Sequence, residues 1–313
     1  MGPCTHPARR AASGFVLVGL IAAAAACGSR DVDLLLTADT EGRIRACESC
    51  STAGGLGDLS RRASAVGHLR SSRASSLLVD AGNFLIGPDS LDSGGRVIAA
   101  AYSRLGYDAV NLSYRDFRLG KSSTLEVLRA GSFSVVSANV VDDATGRPVA
   151  EPFVVKRAGA VRVGFLGLTE LPPGVERLEH IATQLAGLRV RPPAEALAEW
   201  LPKARAASDV TVLLFHGSAE GLAAVRSKFG GQLSAILVGG LRPADLPDPA
   251  NPPVVAVGEG GTDVMAIRLP ASGRTEVRRV PVDGRFPPDQ RMLDLLKAFD
   301  GKTSDGGREP PVM

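Results

Sequence analysis

The chain has 313 residues, 44% of them hydrophobic and 22% charged, enough to bury one large core or two smaller ones. Its net charge is +3, and without Arg9 and Arg10 the 36 basic residues become 34 against 33 acidic ones, so charge favours neither nucleic acid nor a membrane surface as partner. Aromatic residues make up 4%, too few for the base-stacking platforms of single-strand binders.

The first element is a targeting signal. Arg9-Arg10 precede Gly14–Ala26, a small and apolar run of about 13 residues that ends at Cys27, short of the about 20 residues a bilayer span needs. Ala24-Ala25-Ala26 directly before Cys27 resemble a bacterial lipobox, in which that cysteine is lipidated and becomes the mature N-terminus, although an aliphatic residue is more usual at Ala24. The resemblance implies a lipoprotein anchored in the bacterial cell envelope. Gly28, rather than Asp, after the cysteine points to the outer membrane, facing the periplasm. An ordinary cleaved secretory signal and an uncleaved anchor stay open. Of four cysteines, Cys4 leaves with the leader, Cys27 takes lipid, and Cys47 and Cys50 remain as a C-x-x-C pair in an oxidising compartment.

Strand and helix patterns then alternate, the order of an α/β layered fold. Apolar strands at Leu34–Thr37, Leu77–Val79, Val210–Leu214 and Ile236–Val238 each run into a polar loop. Such strand ends are where α/β sheets place ligands and metals. Helical spacing marks Gly55–Arg70, Val97–Leu105, Ser122–Ala130, Ala194–Ala207, Leu222–Phe229 and Asp289–Phe299. Phe153–Val155 and Val161–Leu166 read as a hairpin around Lys156–Ala160, while Pro172–Pro193 reads as irregular. Further strands are expected at Ala109–Leu112, Ser134–Ala138, Val254–Val257, Val264–Leu269 and Glu276–Val280.

The order and content of these blocks resemble the metallophosphoesterase domain of bacterial 5′-nucleotidases. The similarity rests on Gly55-Leu56, Asp80-Ala81-Gly82, Leu105–Ala109, Ser137–Val140 and Val163–Thr169, and it spans Asp33 to Val282. It implies a four-layer α/β/β/α sandwich of the metallo-dependent phosphatase type. The implied division is 1–26 signal peptide, 27–32 lipid anchor and tether, 33–282 phosphoesterase-like domain, 283–300 its C-terminal helix, and 301–313 a disordered tail.

Active members of that family hold two metal ions, which clamp the phosphate and activate a water for in-line attack. On that resemblance Asp39 matches the first metal ligand and His216 a distant one, whereas Glu41 stands for a histidine and Asn83 for the bridging aspartate. Tyr114 replaces a ligand asparagine, Arg115 the catalytic histidine, and Leu241 and Pro243 the last two histidines. Two dications need an anion between them, and Asn83 is neutral, so a dinuclear site is not expected. The expectation is no tightly bound cofactor, or at most one divalent ion (Mg²⁺, Mn²⁺ or Ca²⁺) on the residual set Asp39, Glu41, Asn83 and His216.

Positive charge is the candidate replacement: Arg115 and Arg242 as guanidinium forks for a small anionic or phosphate ligand. Local ion pairs, for instance with Asp116, are the plainer role for both. His68 and His180 read as solvated histidines. Cys47 and Cys50 resemble the cysteine pair of a lipoprotein branch related to 5′-nucleotidases; a small-loop disulfide, a redox pair and metal-binding thiolates all remain open. Three functions follow: a catalytically degenerate, anion-binding envelope protein; a single-metal phosphoesterase; and a thiol redox protein. Nucleic acid is not an expected partner.

Overall fold

The computed structural model describes residues 30–46, 57–73, 75–246 and 251–303. The leader, Cys27, Cys47, Cys50 and positions 304–313 lie outside the described residues.

Two sheets form the centre. The first is ordered β13-β12-β1-β2-β3-β4, with β1 Val32–Thr37, β2 Leu77–Asp80, β3 Ala109–Asn111, β4 Ser134–Val136, β12 Asp263–Leu269 and β13 Glu276–Pro281. The second is ordered β11-β10-β9-β7-β6, with β6 Phe153–Ala158, β7 Val161–Thr169, β9 Val210–His216, β10 Ala235–Gly239 and β11 Val254–Ala256. β1 to β4 run parallel, as do β7, β9, β10 and β11.

The continuous apolar runs of these strands follow from burial on both faces. Leu34 and Leu36 of β1 meet Val163, Phe165, Val212 and Leu214 between the sheets. Leu35, one position out of phase, points outward to helices α1 (Leu59–Ser72) and α2 (Arg96–Leu105). On the second sheet Leu213, Phe215 and Ile236 face outward against α5 (Pro193–Ala207) and α6 (Ala219–Phe229). Three cores thus separate four layers, helices–sheet–sheet–helices. The hairpin at β6 and β7 forms in antiparallel register, with Val155 opposite Gly164.

The segment Pro172–Pro193 is not irregular. It holds a 3₁₀ turn at Val175–Arg177, helix α4 at Glu179–Gln184, and β8 at Leu188–Val190 paired antiparallel with β5, Val140–Asp142. These pieces are too short for a periodicity of their own; tertiary anchors such as Ile181, packed into the first core, hold them. The last helix, α7, runs Gln290–Thr303, past the boundary at 300 expected from composition.

Strand ends Thr37, Asp80, Asn111, Thr169, His216 and Gly239 close the parallel strands of the two sheets, and the polar loops follow them. The loop after β1 zips against the loop after β2: the N–H groups of Asp39, Glu41 and Gly42 donate to the carbonyls of Gly82, Asn83 and Phe84, each at 2.9 Å. This approach is so close that a Cβ on Gly87 would stand 1.5 Å from the Glu41 carbonyl oxygen, so position 87 admits only glycine.

Candidate functional site

Asp39, Glu41 and Asn83 all carry left-handed backbone, with φ of 48°, 53° and 60°. That conformation costs free energy in side-chain-bearing residues and clusters where a loop must aim a side chain at a site. Here it turns Asp39 and Asn83 toward each other and toward the second sheet. Asp39 Oδ1 accepts from Asn83 Nδ2 at 2.8 Å and lies 3.1 Å from His216 Nε2; its Oδ2 accepts from the Gly240 N–H at 2.7 Å. On the far side of the ring, His216 Nδ1 lies 3.2 Å from Ser113 Oγ. One cluster therefore ties the ends of β1, β2 and β3 to those of β9 and β10.

A carboxylate can only accept, so Nε2 carries an N–H toward Asp39; Ser113 Oγ, which accepts the Arg115 N–H at 3.1 Å, still has a lone pair and a proton with which to meet Nδ1. Burial by itself would raise the Asp39 carboxyl, but the His216 hydrogen bond and charge, the Gly240 N–H and the Asn83 amide outweigh it and hold the group below its ordinary value. Ser113, His216 and Asp39 connect like a nucleophile, base and orienter, yet the Ser113 hydroxyl is fully buried. No substrate atom reaches it.

Would these residues hold the two metals that the resemblance implies? Donor spacings near 3 Å suit a hydrogen-bonded cluster and a shared ion alike, so distance does not decide. Charge does. Asn83 is neutral and presents its N–H to Asp39, and the only other acid of the expected set, Glu41, faces Arg43 at 3.7 Å. Two dications would rest on a single buried carboxylate, whose cost in a dry site is prohibitive. The residues do not fit a metal pair. Among the described residues, no three His, Cys, Asp or Glu side chains converge as a ligand set.

Beside this cluster opens a pocket of about 490 Å³, lined by Glu41, Arg43, Asn83, Tyr114, Arg115, Arg118 and His180, together with aliphatic residues. Arg115 does not pair with Asp116. That carboxylate is buried and accepts the N–H groups of Ser113, Asn83, Phe84 and Leu85 at 2.8–3.1 Å, fixing the loops rather than neutralising a cation. The Arg115 guanidinium instead lies 5.6 Å from the Tyr114 ring centroid. Tyr114, offered by alignment in place of a metal ligand, thus faces the pocket as a platform for that cation. Neither Arg115 nor Arg118 has a carboxylate partner among the described residues.

Arg242 is different. Its Nε and Nη2 donate to Asp245 at 2.9 and 3.1 Å, and it does not line the pocket. For Arg242 the local ion pair is the observed role. Arg43, Arg118 and His180 are the lining residues that sequence reading missed. For Arg118 a signal existed: it caps the C-terminal end of the 3₁₀ turn Tyr114–Phe117, three positions after Arg115, and a period of three puts both on one side. His180 reaches the pocket only because α4 exists.

Beneath the site lies a second buried network. Asp80 Oδ2 accepts from Thr37 Oγ1 at 2.6 Å and Tyr102 OH at 2.9 Å, and Oδ1 from the Gly82 N–H at 2.8 Å. Tyr102 OH stands 2.9 Å from Thr40 Oγ1, which in turn accepts from the wholly buried Arg62 at 2.9 Å. Burial pushes the Asp80 carboxyl up to about 7 against the pull of these donors and of Arg62.

No protein-family model matches the chain. In sequence it is similar to the snake venom 5′-nucleotidase of Gloydius brevicauda, 29% identical over 206 residues that cover 56% of this chain and 35% of that enzyme. The aligned part is thus about a third of the curated relative's length. In structure it is similar to the Thermus thermophilus sulfate thiohydrolase SoxB (TM-score 0.74, 20% identity, 89% of this chain and 62% of that one). It is also similar to the calcineurin-like phosphoesterase YfkN of Bacillus subtilis (TM-score 0.71, 19% identity, 87% and 97%). The fold is that of the calcineurin-like metallophosphoesterases, and the described domain is 5′-nucleotidase-like.

Proposed function

We propose that this chain is a lipid-anchored envelope protein on a phosphoesterase scaffold that has given up two-metal hydrolysis and binds a small anion at Arg115 and Arg118. The observation that carries it is the pairing of opposites at one place. Both carboxylate oxygens of Asp39 are taken by Asn83, His216 and Gly240, while the adjoining pocket presents Arg115 and Arg118 without carboxylate partners among the described residues. Guanidinium forks bind oxyanions bidentately and need no metal to do so. The anchor is supported by the run before Cys27, and Gly28 after that cysteine favours the outer membrane, facing the periplasm.

A second reading is favoured by one observation. The left-handed backbone at Asp39, Glu41 and Asn83 is the strain a ligand loop carries, which suits a phosphoesterase working with one Mg²⁺, Mn²⁺ or Ca²⁺. The third role, thiol chemistry at Cys47 and Cys50, concerns residues outside the described ones. The deciding experiment is hydrolysis of a generic phosphate monoester across Mg²⁺, Mn²⁺, Ca²⁺ and Zn²⁺. No turnover is expected. Turnover that Asp39→Ala abolishes would replace the first reading with the second.

A further inference from the structure

We infer that the arginine pocket takes an amphiphilic anion, an oxyanion head on an aliphatic body, rather than a bare inorganic ion; this rests on the anion-binding reading above. The lining is of two chemistries. Arg115 and Arg118 supply positive charge, Arg43 facing Glu41 on the same wall, whereas Ile86, Val175, Leu178 and Ile181 supply aliphatic surface. The aliphatic part comes mostly from the 175–181 stretch, the short elements that sequence periodicity missed. A volume of about 490 Å³ lies in the range that encloses organic ligands. A single oxyanion is only a few water volumes in size, so it would leave most of that aliphatic surface wet.

The surroundings extend the same chemistry. Among the described residues the exposed large hydrophobics are Leu91, Leu119, Val155, Leu178 and Val277. Leu178 lines the pocket, and Leu91 and Leu119 lie within three positions of the lining residues Pro88 and Arg118. The 91–95 loop and Leu119 also adjoin, since a Cβ on Gly94 would stand 3.7 Å from Leu119 Cδ1. Of these, Leu178 is the exposed apolar side chain that the pocket itself presents. The body is aliphatic rather than a nucleoside. The Tyr114 ring already carries Arg115, and of the lining residues only Asn83 and Gln184 offer amides to base or sugar edges.

The test is calorimetric titration of the full chain with inorganic phosphate, octyl phosphate below its micellar concentration, octanol, and vesicles of anionic phospholipid. Each methylene removed from water is worth about a fourfold gain in affinity. Octyl phosphate is therefore expected to bind at least about tenfold more tightly than phosphate even if most of its chain stays wet. Val175→Ser with Leu178→Ser, both at partly exposed positions, should erase that gain and leave phosphate affinity unchanged. Arg115→Gln should weaken both ligands. Equal affinity for phosphate and octyl phosphate would overturn the inference while leaving anion binding intact. So would octanol binding as tightly as octyl phosphate, or binding to vesicles but not to the monomeric amphiphile. Failure of every anion to bind would remove the anion-binding reading as well.

Discussion

The Asp39 cluster and the Arg115 pocket adjoin, yet they handle polarity in opposite ways. In the cluster the carboxylates are buried and spent on other protein atoms: Asp39 on Asn83, His216 and Gly240, and Asp116 on four backbone N–H groups. In the pocket Arg115 and Arg118 stand without carboxylate partners among the described residues, Arg115 resting on an aromatic face. Buried polar groups that satisfy one another hold a structure together and bind nothing further. Open cations hold little together and remain available. The positions that match metal ligands by resemblance thus form a clasp between the two sheets, and the proposed anion site lies beside it.

The largest expected effect breaks the buried half of this contrast. Arg62→Met strips the buried acceptors Thr40 Oγ1 and the Gly261 carbonyl of their donor and removes the cation that draws on Asp80. It should cost about 3 kcal/mol or more of unfolding free energy, measured by denaturant titration, with the pocket unaffected in the surviving folded fraction. Next in size is Asn83→Asp, which sets a second carboxylate against Asp39. The variant should lose about 1–3 kcal/mol in chelator and regain it with Mn²⁺ or Mg²⁺, whereas the natural chain should show no metal-dependent thermal shift. A metal shift in the natural chain would break the comparison, because the clasp would then be an ion site.

A smaller effect belongs to pH. Asp80 titrates near 7 when folded, against an ordinary value of 3.8. Between those values the folded form keeps a proton that the unfolded chain has lost, so this group's contribution to stability falls as pH rises from about 4 to about 7. Asp39 has the opposite sign: its lowered value adds stability above about 3.8 that is lost as pH falls below it. Asp80→Asn should lessen the fall in unfolding free energy between pH 4 and 7, leaving the smaller share of buried Asp116 and half-buried Asp108, and leave the acid limb in place. Least of all in stability terms, Arg115→Gln should change unfolding by under about 0.5 kcal/mol while cutting phosphate affinity about tenfold. Arg242→Gln, at a residue already paired with Asp245, should alter neither.

Much of the fold was legible in the chain because it is written in long apolar runs. Leu34-Leu35-Leu36 and Val212–Phe215 announce strands buried on both faces, and those are the strands at the centre of the two sheets. The site was legible only in part. Asp39, Asn83, His216 and Arg115 were nameable by resemblance, and the neutral charge of Asn83 already argued against a metal pair. Arg242 was misplaced because Asp245, three positions on, offered an ion pair that neighbouring sequence alone could not weigh against a pocket. His180, set apart as a solvated histidine, joined the lining through an element of six residues, Glu179–Gln184, too short to show a helical period.

By itself the sequence determined which residue types stand at the strand ends, and therefore how much negative charge the site can muster; side-chain chemistry does not depend on folding. Which of those groups satisfy one another and which face solvent was decided only in three dimensions. The partners of Asp39 lie 44 to 201 positions away along the chain. Hydrogen bonding falls off within a few tenths of an ångström, a scale that spacing along a chain does not encode.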